Sequence, residues 1–388
     1  MTVMPTDPDG LADPYEFFAG LRKAEPVAWD AEHRFWIVSK YADVFEILRQ
    51  PKVFSSRVGP MSELSSPVVM AQDAPIHTRL RGLVQKGFTA RRVRSLEDRI
   101  REITAASMQR MREDGPRVDL VQYLSFPLPV TVIAEMIGVP SGDQEKIWKW
   151  SFDFMHGLEQ GSHWKEAIAP TMAELRAYFG LAIAEHRDNP RNDLISALMA
   201  GDPASDDRLT DDEIFNMLLV MMVAGNETTT NLISNAVAAM VTNPEAYQRL
   251  RADPSGLTPG WVEETLRWDS SVRSLYRRAL EDVEVGGQLV KKGDLLLLLL
   301  ASANRDEDAF EDAEAFIPER EPKHLGFGFG IHLCLGAPLA RLEAKIAIEA
   351  FVREFPDFEF DGERPFERED LLFTRGYRAL PLALHSGR

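Results

Sequence analysis

The stretch Gly326–Gly336, GFGFGIHLCLG, holds the only cysteine among 388 residues, Cys334. A single thiol permits no intramolecular disulfide. Four glycines, Gly326, Gly328, Gly330 and Gly336, stand among Phe327, Phe329 and His332. Glycine at that density lets a backbone turn tightly and approach a flat ligand without side-chain clash. The segment that follows, APLARLEAKIAIEAFV, repeats apolar residues at three and four, with Pro338 near its start, as a helix does. Cys334 therefore enters from a loop at a helix N-terminus, where unpaired N–H groups and the dipole favour a thiolate. Such a residue serves as a nucleophile, as a metal ligand, or as a small buried hydrophobe. A zinc or iron–sulfur site needs further cysteines or a tight Cys/His cluster, and the sequence has neither. Axial ligation of haem iron needs one thiolate, glycines to clear the porphyrin face, and cations for the propionates.

The pattern Phe327-Gly328-x-Gly330-x-His332-x-Cys334-x-Gly336 resembles the haem-binding loop of the cytochrome P-450 family at every signature position. The resemblance implies haem b (iron protoporphyrin IX) with Cys334 as its axial ligand. Phe327, Gly328 and Gly336 would then belong to the loop around the haem, and His332 to a propionate.

Four further stretches match the family in order. In DAPIHTRLR, Asp73 to Arg81, His77 and Arg81 lie four apart on one helix face. The matching histidine and arginine of the family bind haem propionates, a task suited to bidentate arginine. Thr210-Asp211-Asp212-Glu213 is a capping box that opens a helix able to run to Asn243, before Pro244. Its middle, AGNETTT from Ala224 to Thr230, is poor in helix formers, a conflict of the kind that marks functional bulges. Glu227 and Thr228 match the family's acid–alcohol pair, in which the hydroxyl holds waters while the carboxylate relays protons from solvent. Many family members carry aspartate where this chain has Glu227. Trp261 to Trp268, WVEETLRW, is a short helix with Glu264 and Arg267 three apart, similar to the family's buried structural pair. The third member of that pair is an arginine upstream of the loop, for which Arg320 is the nearest candidate. Arg277 matches a propionate-binding arginine, with Arg278 as its neighbour.

Forty-four basic against 61 acidic residues give a net charge of −17. That balance argues against nucleic acid or an anionic membrane as partner. No basic start followed by an apolar run marks a signal peptide or anchor. The longest apolar run, Leu295 to Ala301, falls far short of a membrane span. One cysteine and no export signal point to a reducing, cytoplasmic setting. No repeat or low-complexity linker interrupts the chain, so a single domain over residues 1–388 is expected. Val27 to Trp29 and Phe35 to Val38 read as a hairpin, Tyr41 to Leu48 as a helix, and Leu295 to Ser302 as a buried strand. Trp148 to Trp164 is aromatic-rich and ends near Pro170; its His156 and His163 have nothing near them to complete a metal set. Arg57 to Ala71 is a long irregular connection, as lids often are.

The resemblance implies a mainly α fold with a small β region and haem between the long central helix and the cysteine-loop helix. It implies insertion of one oxygen atom from dioxygen into an apolar C–H bond of a small or medium organic substrate by a monomeric enzyme. No reductase segment is seen, so electrons from NAD(P)H are expected through a ferredoxin and its ferredoxin reductase. Arg79, Arg81, Lys86, Arg91, Arg92, Arg94, Arg341 and Lys345 could form a docking face for that acidic partner. Met61, Val68, Met70, Val272, Leu275 and Phe373 suggest an apolar substrate pocket, and Arg273 a place for a carboxylate. Two alternatives stay open: a peroxide-driven peroxygenase, against which the Glu227–Thr228 pair speaks, and a non-enzymatic haem-based sensor. Hydrolysis by a cysteine nucleophile would require a histidine base, and the resemblance assigns His332 elsewhere.

Overall fold

Five successive leucines, Leu295–Leu299, leave a strand no polar face, so both sides must be covered. In the structure, a computed structural model that describes residues 4, 8–64, 66–158, 160–201, 207–369 and 371–385, this run is the central strand of a five-stranded mixed sheet. Its strands are β1 (Val27–Asp30), β2 (Phe35–Val38), β3 (Phe54–Ser55), β4 (Ser274–Ala279) and β5 (Leu295–Leu299), in the order β1-β2-β5-β4-β3. β2 runs parallel to β5, with Trp36 opposite Leu296, and β4 runs antiparallel to it, with Ser274 opposite Leu299. Because side chains alternate across a strand, Leu296 and Leu298 join Val38 and Phe54 on one face. Leu297 and Leu299 join Phe18, Phe35 and Ile37 on the other. Each such leucine contributes about 1.5–3 kcal/mol by leaving water. The strand is shorter than its sequence suggests: after Leu299 the chain turns into a helical turn, Leu300–Ala303.

By its contacts the chain packs as two compact units. The larger comprises residues 1–56, 101–125 and 228–388, and the smaller residues 57–100 and 126–227. The single domain expected from the sequence stays an expectation drawn from the absence of linkers. Four helices carry the residues of interest: α1 (Ile76–Val84), α2 (Asp211–Thr242), α3 (Pro254–Trp268) and α4 (Ala337–Glu354).

Helix α2 is capped as its sequence predicts. Glu213 N donates to Thr210 Oγ1 at 3.2 Å, and Thr210 N donates to Glu213 Oε2 at 2.9 Å. The bulge anticipated at AGNETTT does not occur; the helix is continuous there, and a π-helical turn lies instead at Val121–Ser125. Packing outweighs propensity at that point. A Cβ on Gly225 would stand 3.1 Å from Ile133 Cγ1, so glycine permits the close approach. Farther along, residues 229–240 are all buried. Helix α3 starts at Pro254, earlier than WVEETLRW suggests, because Asp253 Oδ1 accepts from Gly256 N at 2.9 Å and a proline suits the first helical position. Pro170 does not end the aromatic stretch but lies inside the helix Trp164–Asp188, where buried Ile168, Thr171 and Leu175 hold the turn against the missing N–H. No described helix is long and apolar enough to cross a membrane.

One buried carboxyl makes stability depend on pH. Glu343 on α4 is almost wholly enclosed and its Oε2 has no hydrogen-bond partner, so burial pushes it up to about 8. The folded state then keeps a proton that the unfolded chain has already lost. Stability falls as pH rises from the ordinary glutamate range to about 8, by at most about 1.4 kcal/mol per pH unit. Glu343→Gln should remove that slope, so urea unfolding should show the variant gaining on the parent as pH rises. A stability difference that stays flat over this interval would contradict it.

Candidate active site

The cysteine loop folds as it does because glycine can take backbone angles that other residues avoid. Gly328 and Gly330 have φ of +70° and +71°, and a Cβ on Gly330 would come within 2.9 Å of Leu48 O. Cys334 N donates to Phe327 O at 2.9 Å, closing the loop upon itself. Leu339 N and Ala340 N both donate to Gly336 O at 2.9 Å as α4 begins. Cys334 is exposed. Ile331 and Leu333 beside it are 36% and 46% exposed, and a Cβ on Gly336 would lie 4.0 Å from Cys334 Sγ. The thiol thus stands exposed next to exposed Ile331 and Leu333, just before α4 begins.

A cationic clamp holds this loop to α3. Arg341 Nε and Nη2 donate to the two oxygens of Glu263 at 2.6 and 2.8 Å. His324 Nε2 lies 3.1 Å from the same carboxylate, and the guanidinium covers the Phe327 ring at 4.5 Å. Burial alone would push Glu263 up, but its bonds from Arg341 and His324 prevail and hold it at about 2. The pair with Glu263 raises Arg341, and the charge of Cys334 acts in the same direction, so this cation favours the thiolate.

A second network centres on the fully buried pair Glu264 and Arg267, on the same helix α3. Arg267 Nε and Nη2 donate to Glu264 at 2.8 and 2.7 Å, and Arg320 Nε adds a third bond at 3.2 Å. Ile317 N donates to Glu264 Oε1 at 2.8 Å, while Arg267 also donates to the carbonyls of Asn304, Ala313 and Ala315. One carboxylate thereby fixes the segment that leads into the cysteine loop.

The larger unit also carries Arg277, His332 and Thr228. Arg277 is buried and shares a face of β4 with Leu275, whereas half-exposed Arg278 donates to Gly293 O at 3.0 Å. His332 is half-buried. Thr228 belongs to a stripe of α2, with Val220, Ala224 and Glu227, that is partly or fully exposed although the flanking turns are buried. Val272, Leu275 and Phe373 are half-buried, and Phe373 meets the Tyr276 ring edge-on at 5.5 Å. Arg273 keeps different company: it is fully enclosed and interacts electrostatically with Tyr15, Asp269, Arg368 and Arg375.

In the smaller unit, His77 is buried on α1, and burial followed by the charge of Arg81 lowers it below the usual histidine value. Arg81 and Glu227 are half-exposed. The loop from Arg57 to Ala71 is not wholly irregular, since Pro60–Glu63 and Val69–Ala71 are 3₁₀ turns. Val68 is buried, Met61 half-buried and Met70 exposed. Gly59, Pro60, Glu63, Gly161, Ser162, Trp164 and Lys165 line a hollow of about 440 Å³, bordered by the Lys165–Glu63 pair at 2.9 Å.

Three of the cations grouped as a docking face are engaged internally. Arg79 pairs with Asp207 and Glu213, Arg341 with Glu263, and Lys345 with Glu349. The clamp residues Glu263 and His324 carry no sequence signal, because their partner lies 78 positions away from Glu263.

The model of the family "Cytochrome P450" matches residues 25–255 and 256–375. The chain is 38% identical over 371 residues to "Putative cytochrome P450 YjiB" of Bacillus subtilis, covering 94% of this chain and 93% of that one. It is 37% identical over 398 residues to "Cytochrome P450 monooxygenase PikC" of Streptomyces venezuelae, covering 98% and 93%. Its fold is similar to the crystal structure of CYP109E1 from Bacillus megaterium in complex with corticosterone, with a TM-score of 0.88, 34% identity, and coverage of 97% and 100%.

The buried network makes a measurable claim. Glu264→Ala would strand Arg267, which is fully enclosed, and should cost about 3–5 kcal/mol in urea unfolding. A loss below about 1 kcal/mol would mean the pair behaves as an exposed one.

Proposed function

The chain belongs to the cytochrome P450 family and is a haem-thiolate monooxygenase, and from that premise we propose its particular reaction. One oxygen atom of dioxygen enters a C–H bond of an apolar, small to medium organic molecule, with electrons delivered by a ferredoxin. The observation that carries this reading is Cys334 itself: the only thiol, exposed next to Ile331 and Leu333 just before α4 begins. The haem, when bound, supplies the activation of dioxygen at an iron that a thiolate makes electron-rich.

This chain's residues would do the rest. Cys334 would ligate the iron, with Arg341 favouring its ionised form and Gly328 and Gly336 leaving room for a flat face. In the larger unit, Arg277 would meet a propionate with charge-assisted bonds and His332 with a hydrogen bond. In the smaller unit, Arg81 would take the same charged role, and His77, lowered below the usual histidine value, would act as a hydrogen-bond partner. Thr228 would hold a water and pass a proton inward, and Glu227, half-exposed on the same helix, would replace that proton from solvent. Val272, Leu275 and Phe373 would present apolar surface to the substrate and exclude bulk water.

CYP109E1 forms a crystalline complex with corticosterone, which makes rigid, apolar polycycles the first class to screen. Lys86, Arg91, Arg92 and Arg94 would dock the ferredoxin in a cytoplasmic setting.

Thr228→Ala tests the assigned proton delivery. With a competent ferredoxin chain and a converted substrate, product formed per electron consumed should fall, and coupled turnover should drop on the order of 10²-fold. Substrate affinity should stay near the parent's. Unchanged coupling would remove Thr228 from the proposed role.

A further inference from the structure

Two buried polar side chains in the larger unit have atoms without a hydrogen-bond partner, and a single carboxyl interacts with both. The first is Arg273, 0% exposed, none of whose three guanidinium nitrogens meets an acceptor. The anion nearest to hand is already taken. Asp269 accepts from Tyr15 Oη at 3.0 Å, from Arg375 Nε at 2.5 Å, and from both terminal nitrogens of Arg368 at 3.3 Å. Arg368 and Arg375 therefore bring positive charge to this cluster and consume its carboxylate. Burial, then the charge of Arg375, brings Arg273 down to about 10, so it remains a cation at neutral pH. A buried charge without hydrogen bonds is costly unless a partner arrives.

The second is Asn231, also 0% exposed. Its Nδ2 donates to Glu369 Oε2 at 3.0 Å, but its Oδ1 meets no donor. Asn231 is three residues beyond Thr228 on α2, so the two side chains rise from neighbouring points of one face. The approach is close, since a Cβ on Gly376 would collide with the Asn231 amide.

Glu369 links the two groups. It is half-buried, receives bonds from Asn231 and from Thr374 Oγ1 at 3.5 Å, and feels the charges of Arg273 and Arg378. Ionised, it is the anion that Arg273 lacks. Protonated, it can donate to Asn231 Oδ1 once the amide turns over, Nδ2 then giving up the bond it makes to Glu369 Oε2. Arg273 and Asn231 Oδ1 thus each gain a partner in one protonation state of the same carboxyl.

We propose that Glu369 is a proton-carrying residue with two stations, donating to Asn231 when protonated and pairing with Arg273 when ionised, and that it supplies protons toward Thr228. The inference rests on the monooxygenase reading, whose reduction of dioxygen consumes two protons. The O–H bond of Glu369 breaks, and a bridging water beside Asn231 takes the proton and gives one up toward the Thr228 hydroxyl. The carboxylate left behind turns to Arg273, and solvent at its half-exposed side reprotonates it. Glu369 acts through Asn231 and Thr228, so it is a positioning residue. Burial raises its affinity for the proton, against the opposing bond from Asn231 and the charge of Arg378. Arg273 opposes it too, and Arg273 in turn feels Arg375, Tyr15, Asp269 and Arg368, a cluster whose members also act on Tyr377.

Infrared difference titration of the holoenzyme tests this without turnover. The parent should show a protonated-carboxyl band that Glu369→Gln removes and that titrates above the ordinary glutamate range. Arg273→Gln should carry the band to still higher pH, because a cation opposing protonation has gone. In turnover, Glu369→Gln should slow coupled oxidation by roughly 10- to 100-fold, flatten the pH profile and enlarge the solvent isotope effect, with substrate affinity unchanged. Absence of the band, or titration at ordinary glutamate pH, overturns the proposal whether or not a substrate has been found. So does a Glu369→Gln enzyme whose pH profile and isotope effect match the parent's.

Discussion

One thiol has to be kept ionised, exposed and correctly aimed, and much of the larger unit serves that end. The loop closes through the Cys334 N to Phe327 O bond, its glycines take left-handed angles, and α4 begins immediately after it. Helix N-terminus and Arg341 both bring positive potential to the sulfur, one through aligned peptide dipoles and the other through a full charge. Arg341 is in turn held by Glu263 on α3, so the orientation of the thiol depends on the packing of α3 against α4.

Helix α3 is itself tied to residues 304–320 by charge buried where charge is expensive. Glu264 accepts bonds from Arg267, Arg320 and Ile317 N, so its desolvation is offset by hydrogen bonds on every side. Arg267 spends its remaining donors on three carbonyls of residues 304–315. An apolar replacement of equal volume could fill the space but could not tie the turn at Asn304 and the segment 313–317 to one point. The Arg273–Asp269–Arg375 cluster has the opposite character. There one guanidinium is left over, which is the signature of a group kept for something other than stability.

Local signals made the site's ingredients legible. The glycine–cysteine loop, the capping box at Thr210 and the pair Glu264–Arg267 are short motifs whose meaning lies within a few residues. Strands β2 and β5 were equally plain, since a run such as Leu295–Leu299 has only one way to be buried. What stayed hidden depends on partners distant in sequence. The Glu263–Arg341 clamp spans 78 positions, and Asn231–Glu369 spans 138. Propensity misled at AGNETTT, where packing around Gly225 and the buried turns beyond keeps α2 regular. Charge counting misled at Arg79, Arg341 and Lys345, because a basic residue in sequence says nothing about the carboxylate that folding brings to it. The same holds for Arg273, which lies among Tyr15, Asp269 and Arg375.

The central claim is a bond between Cys334 sulfur and haem iron. The absorption spectrum of the reduced, carbon monoxide-treated holoprotein tests it most directly, with the parent and Cys334→Ser compared side by side. A thiolate ligand predicts a strongly red-shifted band in the parent and none in the variant. A haem-loaded parent without that band, or a variant that keeps it, would contradict the account.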